Sequence, residues 1–453
     1  MLSVLTPLCE KGVHLYGSIE ELFKKLSTLH DYERQPPSGV VRTFGLENVR
    51  TLSRSLRLEE NTIPIVQVVG SKGKGTTATF LSNRLQQAGL RVGLYQSPHL
   101  FSRTERILVQ GRPASEASWL QSGEAVLSHL HLCDQTPSRF EVETILAYHL
   151  FYEEKVDVII AEAGLGGVAD ATSVLSPVAI VLTTVELEHT HILGDTLFSI
   201  TSQKIGHLPE DGKLFVGGVS EEVKQIVAEV LPDRESDIVD VFETHEITDV
   251  RLSKSGISFL MSTQLSNSSC VVELPLFGKH IPQTYALAHA VSEWILADVL
   301  GRGGYGEWGC TSVEGKRAHL ERVDCGDGIL LVDVAHTMDS VKGALSACRE
   351  HFGRAVDRVV FGVHVDKKVD GLLTLLLEES TSLWLVRNPH PKGMSAQDLY
   401  EMACMSGECD DLRAYDSVDA VCKALQAQGG DKEQITLVLG SYALAGAVLE
   451  KLA

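Results

Sequence analysis

The sequence has no long apolar segment. Nowhere among its 453 residues do about 18 apolar residues follow one another, which is roughly the length that a membrane-spanning helix requires. Near the amino end, "MLSVLTPLCEKGVHLYG" places Glu10 and Lys11 too early for the apolar region of a secretory signal. We therefore expect a cytoplasmic protein with no membrane partner.

The sequence also lacks paired cysteine spacings and an excess of positive charge. Its nine cysteines are scattered, and only Cys404 and Cys409 lie close together, in a polar stretch without nearby histidines. This pattern favours reduced thiols over a disulfide framework or a zinc site. A formal net charge of −20 argues against general nucleic-acid binding, which needs a basic surface to neutralise phosphates. An anionic ligand would need a local basic pocket.

Short apolar strands alternate with helical patterns along most of the chain. The strands are rich in Val, Ile and Leu, as strands buried on both faces of a parallel sheet should be. The pattern therefore predicts an α/β fold with a mainly parallel sheet. The segments "ISFLMSTQ" and "SCVVELPL" indicate a β-rich portion between residues 210 and 275. The clearest predicted strands are 65–69, 156–161, 178–184, 328–333, 358–363 and 435–439.

A glycine-rich stretch divides the chain. "GRGGYGEWG", residues 301–309, follows a long helical pattern over 283–300, and a second αβ series comes after it. We place an amino-terminal domain at 1–300, a glycine-rich linker at 301–310 and a smaller carboxyl-terminal domain at 311–453. Two or three domains are ordinary for a chain of this length.

The stretch "VVGSKGKGTTATFLSNRLQQAG", residues 68–89, turns from an apolar strand into a helix through Gly70, Gly73 and Gly75. Glycines let backbone N–H groups approach phosphates closely, and a helix N-terminus favours anions. The usual phosphate-loop pattern fails here, because Val68 stands where a glycine is expected and Gly75 where a hydroxyl is expected. The stretch alone therefore fits either a nucleotide loop or a plain turn with a solvated lysine.

Polar side chains follow several other predicted strands. Ser97 lies in "QSPHLFSRTERILVQG", Glu162 ends the strand "VDVIIA" and His189 follows the strand "VAIVLTT". Ligands of open α/β sheets bind at the carboxyl ends of strands, and these three side chains could hold a hard cation such as Mg²⁺ there. Taken singly, Ser97 could be a turn former and His189 a surface residue. Lys204 follows His189 on a helix predicted to begin near Thr196.

Together these segments resemble the folate branch of the Mur ligase superfamily, the folylpolyglutamate synthases and bifunctional dihydrofolate synthases. The resemblance covers nearly the whole chain. It implies a P-loop, Mur-ligase-like central domain followed by a smaller, Rossmann-like carboxyl-terminal domain. The segments that carry it, in order, are "GSKGKGTT", "SPHLFSRTERILVQG", "SRFEVETILAYHLF", "EAGLGGVADATS", "LEHTHILGDTLFSITSQKIG", "LFGKHIPQTYALAHA", "VDVAHTMDS" and "LGSYALAGAV".

The resemblance also implies site residues. Lys74, His189 and Lys204 would be catalytic, with Lys204 carbamylated, and Ser97, Glu162 and His189 would bind Mg²⁺. The folate side would be formed by a loop and by a turn, with the residues Ser138, Phe140, Glu141, Leu165, Gly166 and Gly167. The ATP-binding set would be Gly70, Ser71, Lys72, Gly73, Lys74, Gly75, Thr76, Thr284, Arg317, Asp333 and His336.

The sequence departs from the family pattern on the carboxyl-terminal side of the ATP site. Thr284 stands where the family has an asparagine, and "EGKRAHLER" stands where the family has a Pro-Gly-Arg segment with an ATP-binding arginine. Strict spacing to Glu321 selects His319 for that arginine's place, whereas chemistry favours Arg317.

The activity implied is ATP-dependent addition of L-glutamate to the γ-carboxylate of a reduced folate through an acyl phosphate. Dihydropteroate is a second acceptor that the family uses, although "AHT" at 335–337 resembles folylpolyglutamate synthases slightly more. Two alternatives stay open: another Mur-type amino-acid ligase, and a relative that binds nucleotide or folate without turnover. We expect a monomer with no nucleic-acid partner.

Overall fold

The computed structural model describes residues 15–30, 46–264, 268–302, 315–325, 328–367, 369–408, 410–427 and 433–452. Most of the predicted linker lies outside these residues, as does Cys409, and the domain boundaries stay predictions. Among the described residues, no helix combines the length and the apolar character needed to cross a membrane.

The first sheet surrounds the glycine loop. In the described part of the chain its strands are β1 (Ile65–Val69), β2 (Val92–Tyr95), β3 (Ile107–Val109), β4 (Arg112–Pro113), β5 (Val158–Glu162), β6 (Ala179–Leu182), β7 (Lys213–Val216) and β8 (Ile238–Asp240). They lie in the order β4-β3-β2-β5-β1-β6-β7-β8. The run from β2 to β8 is parallel, and β3 and β4 add an antiparallel edge. Parallel pairing brings the carboxyl ends of β2, β5, β1 and β6 to one edge.

A small antiparallel sheet comes next in the chain, formed by β9 (His245–Ser253), β10 (Gly256–Thr263) and β11 (Ser268–Leu274). The predicted β-rich segments are confirmed as β10 and β11. The sequence analysis missed β9, because that strand is largely exposed and charged and lacks an apolar alternation. The inward side chains of β10, such as Phe259, share a core with the first sheet.

The second sheet consists, within the described residues, of β12 (Glu321–Cys325), β13 (Gly328–Val332), β14 (Val356–Phe361), β15 (Ser380–Val386), β16 (Asp411–Tyr415) and β17 (Ile435–Leu439). Its order is β12-β13-β17-β14-β15-β16. Only the β12–β13 pair is antiparallel in this part. The predicted α/β class with mainly parallel sheets is therefore confirmed.

Helices cover both parallel sheets. The apolar stripe of each helix packs against a face of a sheet, and both apolar surfaces are thereby buried. The α-helices of the described residues are α1 (Ile19–Leu26), α2 (Glu47–Ser55), α3 (Lys74–Gln87), α4 (Glu116–Ser128), α5 (Arg139–Glu153), α6 (Thr190–Leu193), α7 (Leu197–Ile205), α8 (Glu221–Val230), α9 (Val241–Thr244), α10 (Ile281–Trp294), α11 (Met338–Phe352), α12 (Asp370–Glu379), α13 (Ala396–Ser406), α14 (Val418–Ala427) and α15 (Tyr442–Leu452).

Two predicted boundaries near the site differ from the structure. The strand predicted at 178–184 ends at Leu182, because Thr183 and Thr184 turn out of the sheet to hydrogen-bond the glycine loop. The helix predicted over 283–300 is α-helical only to Trp294 and continues as a π-helical turn over Ile295–Val299.

Candidate active site

The glycine loop is shaped by close contacts with the residues after β6. Gly70 has φ +144°, and a Cβ added there would lie only 1.9 Å from Thr183 Oγ1. Thr183 Oγ1 donates to the Lys72 carbonyl at 2.6 Å, and the Lys72 amide donates to Thr184 Oγ1 at 2.9 Å. Gly73, at φ +80°, starts α3 in the left-handed conformation that glycine adopts without strain. The loop is therefore braced, with the N-terminus of α3 placed to meet an anion.

Lys74 is the first residue of α3 and folds back over the loop. Its ammonium donates to the Gly70 carbonyl at 2.8 Å and to the Ser71 carbonyl at 3.2 Å. Thr76, the hydroxyl that comes one residue later than in the usual pattern, is buried in the first turn of α3. The arrangement places a positive charge beside the backbone N–H groups of the loop, as phosphate binding requires.

Ser97 and Glu162 are brought together, as predicted for residues at neighbouring strand ends. Both are buried, and the Ser97 amide donates to Glu162 Oε2 at 3.2 Å. His189 lies further out, with φ +47° just before α6. Partial burial, with the charges of Lys74 and Lys204 acting in the same direction, lowers the pKa of His189 and favours the neutral imidazole that metals bind.

Lys204, on α7, is almost completely buried. Its side chain is 1% exposed, and its ammonium lies 3.4 Å from Glu188 Oε1. Burial, aided by the charge of Lys74 and opposed by Glu188, lowers the pKa of Lys204 to about 8. Roughly a tenth of the amine is therefore in the neutral form, which reacts with CO₂, at pH 7.

The glycine turn predicted to contact folate packs directly against the Lys204 helix. Gly166 has φ +72°, and a Cβ added at Gly167 would lie 2.2 Å from the Lys204 carbonyl. Phe140 lies against the start of the same turn, since a Cβ added at Gly164 would be 2.8 Å from its ring. The structure thus brings together Phe140, the turn and Lys204, which are far apart in the sequence.

Ser138 is the last residue of the loop before α5, whereas Phe140 and Glu141 lie in the first turn of that helix, so the loop prediction is wrong for Phe140 and Glu141. Ser138 is the N-cap of α5, and Glu141 completes a capping box with it. The Ser138 amide donates to Glu141 Oε2 at 2.6 Å, and the Glu141 amide donates to Ser138 Oγ at 3.3 Å. The spacing Ser-x-x-Glu before an apolar run was a readable helix-start signal. Their predicted contact with folate stays a prediction.

A pocket lies between the start of α3 and the segment before β12, and its volume is about 390 Å³ when the open solvent at its mouth is included. Thr284, in the first turn of α10, donates its hydroxyl to the carbonyl of the pocket residue His280 at 2.9 Å. The described residues that line the pocket are Thr76, Leu276, Phe277, His280, Ile281, Gly315, Lys316, His319, Leu320 and Asp333.

Lys316 lies in the segment before β12 and reaches the glycine loop from there. The sequence analysis did not select this lysine. Its ammonium lies 3.4 Å from Glu162 Oε2, and a Cβ added at Gly75 would be 2.0 Å from that ammonium. Burial lowers the pKa of Lys316, but Glu162 and Tyr442 together outweigh burial, so the net effect is a raised pKa. The only signal was a lysine beside Arg317 in "EGKR", and the sequence could not show which of them turns inward.

Arg317 and His319 point to different places. The Arg317 guanidinium pairs with Glu321 at 2.7 Å and lies 5.6 Å from the centre of the Phe101 ring, outside the pocket lining. His319 lines the pocket, and burial, with the charge of Lys316 adding to it, lowers the pKa of His319 to about 4. The predicted ATP contacts of both residues stay predictions.

Asp333 holds the Lys316 segment in place. Its two oxygens accept hydrogen bonds from the Leu320 amide at 2.8 Å and from the Ala335 amide at 2.7 Å. Burial raises the pKa of Asp333 to about 6, against the lowering effect of these bonds. His336 follows, with Nδ1 2.9 Å from the Val334 carbonyl. Direct contact of either residue with a nucleotide stays a prediction.

Comparison with known proteins agrees with this architecture. Residues 320–442 match the family described as "Mur ligase, glutamate ligase domain". The chain is 27% identical over 412 residues to a dihydrofolate synthase/folylpolyglutamate synthase of Bacillus subtilis, covering 88% of this chain and 92% of that protein. It is 26% identical over 439 residues to a folylpolyglutamate synthase of Lacticaseibacillus casei, covering 94% and 97%.

Solved structures share the fold over almost the whole chain. Folylpolyglutamate synthase of Mycobacterium tuberculosis, in complex with ADP, superposes with a TM-score of 0.78 at 22% identity, covering 96% of this chain and 98% of that one. The Thermotoga maritima enzyme gives 0.79 at 23% identity, covering 96% of both chains. The matched ligase domain and the sequence relatives show that the chain is similar to the folylpolyglutamate and dihydrofolate synthases.

Proposed function

We propose that the protein is an ATP-dependent ligase that joins L-glutamate to the γ-carboxylate of a reduced folate. The observation that carries the proposal is that the glycine loop, Glu162 with Ser97, and Lys204 with the glycine turn all lie at one edge of the first sheet. Support also comes from solved structures of the same fold, one of which is described as an FPGS–AMPPCP–folate complex.

The chemistry proposed has two steps. The γ-carboxylate of folate attacks the γ-phosphorus of ATP, ADP leaves, and an acyl phosphate forms on the folate. The amine of glutamate then attacks the acyl carbon, loses a proton and expels inorganic phosphate, which leaves an amide. Such reactions depend mainly on positioning and on neutralising phosphoryl charge. In our proposal the amides of the glycine loop and Lys74 do this from one side.

The donors at Ser97 and Glu162, with His189 further out, suit Mg²⁺. Glu162 and the Ser97 hydroxyl offer hard oxygen donors, and His189 adds a neutral imidazole. A cation already faces this carboxylate, since the Lys316 ammonium lies 3.4 Å away. When bound, Mg²⁺ would supply charge neutralisation to the transferring phosphoryl group. We assign Ser97, Glu162 and His189 to its binding.

Lys316 would provide the positive charge on the second side of the phosphates. It enters the site from the segment before β12, and its ammonium is adjacent to Gly75 in the first turn of α3. Because it is paired with Glu162 in this structure, binding of nucleotide with Mg²⁺ would require it to move from the carboxylate to a phosphate oxygen.

Tetrahydrofolate should serve as the acceptor of glutamate. With ATP, Mg²⁺ and radiolabelled glutamate, we expect incorporation into tetrahydrofolate, because the Phe140 ring and the adjacent glycine turn offer an apolar, close-packed wall for a pterin. Product from dihydropteroate as well would add the dihydrofolate synthase step. Tight ATP binding without product from either acceptor would contradict the ligase proposal and favour a non-catalytic relative.

Lys204 should be carbamylated in solution. We expect the buried amine to combine with CO₂ to give a carbamate and a proton, increasingly as pH rises through its pKa of about 8, since only the neutral amine reacts. Native mass spectrometry in bicarbonate, or ¹³C NMR with labelled bicarbonate, would detect the adduct. Lys204→Ala should lower turnover by about 10- to 100-fold, the usual effect of losing a group that orients bound metal.

A matched control is Lys423→Ala, which removes an exposed lysine paired with Asp419 on the surface. It should retain the wild-type rate. Partial recovery of Lys204→Ala by acetate or propionate would support a carboxylate function at this position. If the wild type carries no adduct between pH 7 and 9 and turnover stays unchanged in Lys204→Ala, the carbamate assignment is wrong.

A further inference from the structure

Three buried side chains converge outside the proposed active site. His245 begins β9, and His289 and Glu293 lie one turn apart on α10. Their side chains are 0%, 4% and 1% exposed. Glu293 Oε2 lies 3.3 Å from His289 Nδ1 and 3.7 Å from His245 Nε2, and the three atoms all fall within 4.8 Å of one another.

The converging atoms have no hydrogen-bond partner in the described part of the chain. His245 Nε2, His289 Nδ1 and Glu293 Oε2 are all buried and unsatisfied. Buried polar atoms are nearly always satisfied, since an unmet one loses its interaction with water and gains nothing in return. Their nearest polar neighbours are one another, at 3.3 and 3.7 Å, so the three atoms together form a set of donors for one ion.

The chemistry of the three donors suits a metal ion. Neutral imidazole and ionised carboxylate are the forms that bind metal ions. The other nitrogen of His245, Nδ1, lies 2.9 Å from Thr244 Oγ1, which orients the ring as an outer partner does in metal sites.

We propose that His245, His289 and Glu293 bind one divalent transition-metal ion, with Zn²⁺ the best fit. Two imidazole nitrogens and one carboxylate oxygen form a common zinc ligand set that leaves a fourth position open. Tetrahedral ligands about 2.0–2.1 Å from zinc lie roughly 3.3–3.5 Å from each other, close to the 3.3 and 3.7 Å separations seen here. Two nitrogen donors disfavour Mg²⁺ and Ca²⁺.

A positively charged side chain lies close to the three proposed ligands. Arg84, on α3, donates to Ser292 Oγ at 3.1 Å and to the Tyr285 hydroxyl at 2.9 Å, which places a positive charge near His289. Attraction by net charge alone would therefore not hold an ion, and binding would depend on the nitrogen donors. The ion would connect β9 to α10 and, through α10, to the glycine-loop helix α3, a stabilising role separate from the proposed ligase chemistry.

The test is metal content and the spectrum of a cobalt substitute, measured on the full chain without an affinity tag. After dialysis with one molar equivalent of ZnSO₄ and excess MgCl₂, we expect the wild type to retain about one zinc per chain and Glu293→Gln to retain at least about tenfold less. With CoCl₂ alone, the wild type should show the strong visible absorption of tetrahedral Co²⁺. His131→Gln removes an exposed histidine outside the cluster and should retain zinc.

The cobalt spectrum keeps the proposal testable even if Glu293→Gln does not fold, because it needs no substitution. Less than about a tenth of an equivalent of zinc in the wild type, with no tetrahedral cobalt band, would overturn the proposal. Equal zinc retention by folded Glu293→Gln and by wild type would also overturn it, since the metal would then be elsewhere.

Discussion

Replacing Lys74 with alanine should reduce glutamate incorporation by about 10³-fold or more, the order expected when a principal charge on a transferring phosphoryl group is removed. The structure explains the size of the effect. The ammonium is held over the loop by the Gly70 and Ser71 carbonyls, so it is already positioned before nucleotide arrives. The measurement is the initial rate with saturating folate and glutamate, alongside ATP affinity by calorimetry.

Two further variants, Lys74→Arg and Lys423→Ala, serve as controls for the rate of Lys74→Ala. Lys74→Arg keeps the charge but replaces a compact ammonium with a planar fork, and we expect it to recover only part of the rate. Lys423→Ala serves again as the surface control. Circular dichroism and thermal unfolding should show that Lys74→Ala is folded. A folded Lys74→Ala protein with an undiminished rate would refute phosphate binding by this loop.

Replacing Lys316 with alanine should lower kcat/KM for ATP by about 10- to 100-fold. The loss follows from removing the second positive charge beside the first turn of α3. The same change frees the Glu162 carboxylate, which Lys316 contacts at 3.4 Å in this structure. We therefore expect the concentration of Mg²⁺ needed for half-maximal rate to fall while the maximal rate also falls. A purely structural ion pair would not separate these two quantities in this way.

The comparison with Arg317→Ala decides which basic residue serves the nucleotide. Arg317 pairs with Glu321 and is 54% exposed at its side chain, so the geometry predicts a smaller loss of kcat/KM than for Lys316→Ala. Lys316→Arg should retain more activity than Lys316→Ala if charge is what matters. If Arg317→Ala causes the larger loss and Lys316→Ala leaves the Mg²⁺ dependence unchanged, the assignment to Lys316 is wrong.

The strand-to-loop transitions on the amino-terminal side were predictable because they depend on local chemistry. An apolar run followed by Gly70 and Gly73 signals a strand, a tight turn and a helix start in any context. Glu162 was recognisable for a related reason, since an isolated carboxylate at the end of a buried strand is costly unless it serves a ligand or a partner. Its proximity to Ser97 follows from the parallel order of β2 and β5.

The capping role of Ser138 and Glu141 shows how a local rule can be overlooked. Their spacing specifies a capping box without reference to the rest of the chain. The resemblance to folylpolyglutamate synthases implied a loop for both residues, but only Ser138 lies in one, as the last residue before α5. By contrast, β9 carries too little apolar pattern for local reasoning to find it, because its stability depends on its pairing with β10.

The sequence by itself determined the α/β class, the glycine loop and the polar residues at the strand ends, because these depend on short-range periodicity and turn chemistry. Only the tertiary structure decided that Lys316, rather than its neighbour Arg317, enters the site, since adjacent residues leave a backbone in different directions. It also decided that His245 meets His289 and Glu293. Such contacts join residues from separate segments, and the packing of β9 and β12 against the rest of the chain sets them.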